Sequence, residues 1–140
     1  MTQVPEKLPL SRLMGLMGGE IDSWEEGRVV MSIKLDDRHM NPGGMLHGGI
    51  VTTLMDEATG HAIVTVRGLE VMAEAPHVTV DMNVSFLSSA RPGDELVCEA
   101  RTVRIGRAVV FAEAEVRRRG RDDVVAKGHF TYVIVGSRSA

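Results

Sequence analysis

Two features between Asn41 and Asp56 could do chemistry. The first is His47-Gly48-Gly49, which opens a long apolar segment of helical spacing. The first backbone N–H groups of a helix have no partner inside the helix and carry the positive end of its dipole. Glycines there let another molecule approach the backbone closely. Such a place suits an anion, or a carbonyl oxygen that becomes negative during reaction. The second feature is Asp56, a carboxylate whose neighbours Leu54, Met55 and Ala58 are apolar. It lies either on an exposed stripe or in a pocket that holds it for use.

One chain cannot easily bring the two together. His47 and Asp56 are nine positions apart. At about 100° and 1.5 Å per residue, that is roughly half a turn and about 13 Å along a helix. A His–Asp pair within one chain is therefore not expected. If both act in one site, a second subunit supplies one of them.

The elements that would position these groups follow from periodicity. Leu10, Leu13, Met14 and Met17 have helical spacing closed by Gly18-Gly19, a short helix within Leu8 to Met17. Arg28 to Leu35 alternates as a half-buried strand, and Asp36 to Gly44 reads as a loop. From Gly49 to Gly68, Ile50, Leu54, Ala58, Ala62 and Val66 recur about every four residues, a long helix. Everything after it reads as strand: Val78 to Phe86, Glu95 to Ile105, Arg107 to Arg118 and Val124 to Val135, with turns at 90–94, at Gly106 and at 120–123. Five strands and one long helix predict an α+β domain, an antiparallel sheet wrapped around the helix.

Bulk properties narrow the class. The 140 residues suit one domain over 1–140. A net charge of −3 gives no reason to expect nucleic acid as partner. One cysteine cannot form an internal disulfide, which fits a reducing compartment. The first residues lack the pattern of a secretion signal, and no apolar run approaches a membrane span, so a cytoplasmic protein is expected. Glu57 and His61 have an i, i+4 spacing that can hold a metal, but no third ligand motif accompanies them. Cys98, in a strand, reads as a small buried residue.

The segment resembles the hotdog-fold acyl-CoA thioesterases, in particular the PaaI-like (phenylacetate-pathway) group of the 4-hydroxybenzoyl-CoA thioesterase superfamily. That pattern has an Asn six positions before His-Gly-Gly and an Asp nine positions after the His; here these are Asn41, His47-Gly48-Gly49 and Asp56. Val78 to Asn83, the Arg91-Pro92-Gly93 turn, the Gly106 hairpin and Lys127-Gly128 also match, so the resemblance runs from about Leu10 to Val135. It implies a hotdog fold and hydrolysis of a small, aryl or medium-chain acyl-CoA to free acid and CoA. No metal or cofactor is implied, CoA being part of the substrate. It implies that the Gly48 N–H polarises the thioester carbonyl, with Gly49 beside it. Asn41 either assists there or positions the loop. Asp56, from the partner subunit, activates water or attacks directly, and Thr79 orients the water. His47 holds the loop or takes part directly. Arg91, Arg104 and Arg107 are candidates for the CoA phosphates, to which guanidinium groups are suited. His77 is a further candidate in the site, and Leu69, Val71 and Met72 could shape the acyl pocket. The resemblance also implies a dimer with sites at the interface, or a tetramer. A non-catalytic acyl-CoA sensor is the alternative, disfavoured by Asp56, which binding alone does not require. A hydratase on the same scaffold is disfavoured because its Asp–His pattern is not evident.

Overall fold

Twenty residues, Gly48–Arg67, form the long helix α2 of the computed structural model, which describes residues 4–136. Its start is fixed by His47 as N-cap, and it ends at Gly68, whose φ of 87° favours glycine. Val51, Leu54, Met55, Ala58, Ala62 and Ile63 are fully buried along one side. Each large apolar side chain there stabilises the fold by about 1.5–3 kcal/mol. Thr59 and Thr65 are buried on the same helix: Thr65 donates to the Ala62 carbonyl, and Thr59 has the Met55 carbonyl at 2.9 Å and the Tyr132 hydroxyl at 2.7 Å within reach.

Before α2 come α1 (Arg12–Leu16), β1 (Gly19–Glu25) and β2 (Arg28–Lys34); after it come α3 (Leu69–Glu74), β3 (His77–Phe86), β4 (Glu95–Ile105), β5 (Val109–Arg118) and β6 (Val124–Ile134). The strands form one antiparallel sheet in the order β1-β2-β4-β5-β6-β3. α2 lies across its inner face. The inward rows Val29-Met31-Ile33, Leu96-Cys98-Ala100 and Val110-Ala112-Ala114-Val116 are buried against it. The small alanines leave room for the helix to approach. The Cys98 thiol is held well above its ordinary range by burial, with the Glu99 charge adding to this. Among the described residues no helix is long and apolar enough to cross a membrane.

Two elements correct the sequence expectation. The sheet has six strands rather than five. β1 escaped notice because it is an edge strand carrying Glu20, Asp22 and Ser23, with a bulge between Ile21 and Ser23 that breaks strict alternation. Between α2 and β3 the chain forms the short helix α3 rather than continuing directly into strand. A further difference concerns β3. Its apolar residues Val78, Val80, Met82 and Phe86 are 42–55% exposed, although they alternate as core residues do. β3 is the outermost strand of the sheet; it meets α2 through His77 and Thr79, and its free edge faces away from β6.

Candidate active site

The loop before α2 is built by its own polar groups. The Asn41 carboxamide oxygen accepts from the Gly43 and Met45 N–H groups, each at 3.0 Å, and Met40 bridges to Leu46. The His47 N–H donates to the carbonyl of buried His39. Asn41 thus shapes the turn that delivers the helix start, and its oxygen is committed to that task.

At the helix start, His47 decides which backbone donor stays free. Its Nδ1 accepts from the Gly49 N–H at 2.9 Å, and its carbonyl accepts from Ile50 at 3.0 Å. Among the described residues the Gly48 N–H has no partner. The expectation that Gly49 helps to bind substrate meets an obstacle here, because its N–H is already taken. Gly48 stands in a hollow of about 360 Å³ with Leu46, Val51, Phe86 and Val125. A Cβ at Gly48 would lie 3.4 Å from the Phe86 ring, so the glycine keeps the approach open.

Asp56 lies elsewhere, half-buried at the wall of a second cavity of about 540 Å³. The cavity is otherwise largely apolar, with Pro9, Val64, Leu69, Met72 and Val78 in its lining. Val71 points away and is exposed. Thr79 on β3 donates to Asp56 Oδ1 at 2.6 Å, and the Tyr132 hydroxyl lies 3.1 Å from the same oxygen. Among the described residues Oδ2 has no hydrogen-bond partner. Gly48 and Asp56 therefore open into different hollows of one chain, as helix geometry required.

His77 also lines this cavity, but both ring nitrogens are engaged. Nε2–H donates to the Gly60 carbonyl at 3.0 Å, and Nδ1 accepts from Arg67 at 3.0 Å. Burial pushes its pKa down to about 4; the charges of Arg67 and His61 push the same way, against the Gly60 hydrogen bond. The imidazole is thus neutral in the folded chain, and the unfolded chain takes up a proton that the folded one refuses. Stability should therefore decline as pH falls from 6.5 towards about 4, by up to about 3 kcal/mol. In His77→Gln this component is absent, which melting temperatures across that window would reveal. Parallel pH curves for the two proteins would contradict the assignment.

Glu57 and His61 occupy the cavity rim as a pair at 3.2 Å, and Ser11 binds Glu57 through both its N–H and its hydroxyl. Burial raises the Glu57 pKa, but the hydrogen bonds from His61 and Ser11 outweigh it and hold the carboxyl below its ordinary range. These contacts fasten the N-terminal segment over the cavity. No third metal-ligating side chain joins the pair among the described residues.

The three arginines do not converge. Arg91 precedes β4, whereas Arg104 and Arg107 lie at its far end. About ten residues of strand separate them, some 30 Å at 3.3 Å per residue. All three are exposed. The Arg91 backbone N–H is tied to Asp94 in its turn.

Tyr132 was not foreseen. A signal existed: it is the one tyrosine, it follows the core residue Phe130 by two positions, and a buried tyrosine hydroxyl must find a partner.

Residues 43–125 match the thioesterase superfamily. Human acyl-coenzyme A thioesterase 13 is 32% identical over 106 residues, which cover 75% of this chain and 71% of that protein. The structure of smu.793 from Streptococcus mutans, bound to acetyl CoA, superposes with a TM-score of 0.74 at 27% identity, covering 86% of this chain and 91% of that one. The Escherichia coli PaaI protein of the phenylacetic acid degradation operon shares the fold, with a TM-score of 0.79 at 20% identity over 91% of this chain and 86% of that one.

Proposed function

The chain belongs to the thioesterase superfamily, and we propose that it hydrolyses a small, aryl or medium-chain acyl-CoA to free acid and CoA. The observation that carries this reading is the half-buried Asp56 carboxylate, held by Thr79 at the wall of an apolar cavity. The cavity volume is of the size that small acyl groups fill. Relatives that carry or process acyl-CoA support the CoA portion of the substrate.

The chemistry requires no more than these groups supply. A thioester carbon is electrophilic and thiolate is a good leaving group. The free Gly48 N–H polarises the carbonyl and steadies the oxyanion of the tetrahedral intermediate. Asp56 takes a proton from water as it attacks, or attacks the carbonyl itself, and Thr79 fixes the carboxylate. Asn41 and His47 act by shaping the loop and the cap that leave the Gly48 N–H bare. His77 serves as a wall of the acyl cavity.

Because Gly48 and Asp56 open into separate hollows, each active site takes Gly48 from one subunit and Asp56 from its partner. The unpaired edge of β3 and its exposed Val78, Val80, Met82 and Phe86 support pairing with a second copy there. The outer face of the sheet, with exposed Val103, Val109 and Phe111, offers a place for dimers to join as a tetramer. Arg91 and the Arg104–Arg107 end then serve CoA groups on different subunits. The single buried cysteine fits work in the reducing cytoplasm.

Free-thiol release from acetyl-, medium-chain and aryl-CoA thioesters tests the reading. At least one is expected to be turned over. Tight binding with no release from any of them would mark a sensor instead. Val80→Asp, on the β3 edge, is expected to give a folded monomer with release lowered more than about tenfold, since each site loses one half. A fully active monomer in sedimentation at assay concentration would refute the shared site.

A further inference from the structure

We infer that Tyr132 is a positioning residue for catalysis, holding the Asp56 carboxylate so that Oδ2 alone is presented to the substrate. This rests on the reading of Asp56 as the catalytic carboxylate.

The terminal torsion of an aspartate is soft and roughly two-fold, so one anchor leaves the group free to swing. Here Oδ1 has two neighbouring hydroxyls from different strands, Thr79 on β3 at 2.6 Å and Tyr132 on β6 at 3.1 Å. Rotation of the carboxylate would have to break both contacts together.

The hydroxyl protons can be accounted for. Besides the Thr79 hydroxyl, three oxygens lie around the Tyr132 hydroxyl: Thr59 Oγ1 at 2.7 Å, the Asp56 carbonyl at 2.8 Å and Asp56 Oδ1 at 3.1 Å. When Thr59 donates to it rather than to the Met55 carbonyl, the tyrosine proton is left for Asp56. The carbonyl also accepts within the helix, whereas Oδ1 carries charge and is the stronger acceptor. Burial keeps the phenol protonated, and the charge of Asp56 adds to this, so the group acts as a donor.

Tyr132 is itself held in place. It is 3% exposed, and its ring meets the edge of His77 at a centroid distance of 5.4 Å and an interplanar angle of 79°. His77 is pinned in turn by Arg67 and the Gly60 carbonyl. The line of fixed groups thus runs from the end of α2 to the carboxylate. It is more than packing: a phenylalanine would fill the same space without touching Oδ1.

The test compares Tyr132→Phe in two backgrounds. In the otherwise unchanged protein kcat is expected to fall about tenfold with KM within about twofold, because a misaligned carboxylate slows the chemical step rather than binding. In Asp56→Ala the same change should leave the residual rate within about twofold, since nothing remains to be positioned. An equal loss in both backgrounds would show that Tyr132 acts independently of Asp56 and would overturn the inference. So would unchanged kcat in Tyr132→Phe while Asp56→Ala is inactive, a result that leaves the thioesterase reading standing. Full activity of Asp56→Ala would overturn that reading and this inference together. Should Tyr132→Phe fail to fold, the contact can be read without it. The chain has one tyrosine, so meta-fluorotyrosine labels this site alone. Its fluorine resonance is expected to move on Asp56→Asn and stay put on Glu57→Gln; a resonance indifferent to Asp56→Asn would overturn the inference.

Discussion

Asp56→Ala should lower thiol release by about 10²- to 10⁴-fold, the range that a positioned general base supplies. Acyl-CoA binding should persist, because the apolar cavity wall remains. The structure makes the expectation specific. Asp56 is the carboxylate with one oxygen anchored and the other open, whereas neighbouring Glu57 is tied up by Ser11 and His61. Glu57 cannot take over without giving up those bonds, so the loss should not be masked. Asp56→Asn refines the result. It keeps an oxygen to accept from Thr79 and loses the basicity, so a similar loss would separate chemistry from packing. Rates for Asp56→Ala equal to the unmodified protein would remove Asp56 from the mechanism.

Gly48→Pro should cost about 10²- to 10³-fold in kcat, the usual loss when an oxyanion donor is deleted. A backbone N–H cannot be removed by an ordinary substitution, but the position makes proline a fair replacement. Gly48 is the first residue of α2, where proline is well tolerated because its missing N–H has no helical partner. His47 before it has φ −71° and ψ 122°, the extended region that proline demands of its predecessor. The added Cβ meets the Phe86 ring at 3.4 Å, and Phe86 is 55% exposed and has room to yield. Gly48→Ala brings the same Cβ contact and keeps the N–H, so it should stay within about tenfold of the unmodified rate. If proline and alanine variants behave alike, steric crowding explains the loss and the donor role fails.

The sequence was most legible where one periodicity ran unbroken. α2 and β4 lie close to where spacing places them, because each buries one regular face. The separation of Gly48 from Asp56 followed from the rise of a helix alone. β1 was hidden because a bulge shifts its inward residue from Ser23 to Trp24, and an edge strand tolerates the polar residues between. α3 was hidden because six residues are too short for a helical pattern to stand out. The contacts around Asp56 were partly legible. Thr79 came through resemblance, but Tyr132 approaches from 76 positions away, across a strand pairing that local spacing does not encode. His77 shows the converse limit: its place in the cavity was open to inference, but the inward turn of both nitrogens depends on Arg67 and Gly60 folding around it.

The two ends of the sheet are unlike, and this bears on how far association can run. An unpaired strand edge is a template on which further chains can add, the first step towards fibrous aggregates. β3 offers ten residues of such edge, apolar at every other position over most of its length. The other end is β1, shorter, bulged at Ile21 and Ser23, and carrying Glu20, Asp22 and Glu25. Two chains that meet along β3 consume both adhesive edges and leave two β1 edges outermost. Those are poor templates, so edge-to-edge growth would stop at such a pair. On that proposal a chain still alone after synthesis would lack the protection, and its risk of clumping would last as long as its search for a partner.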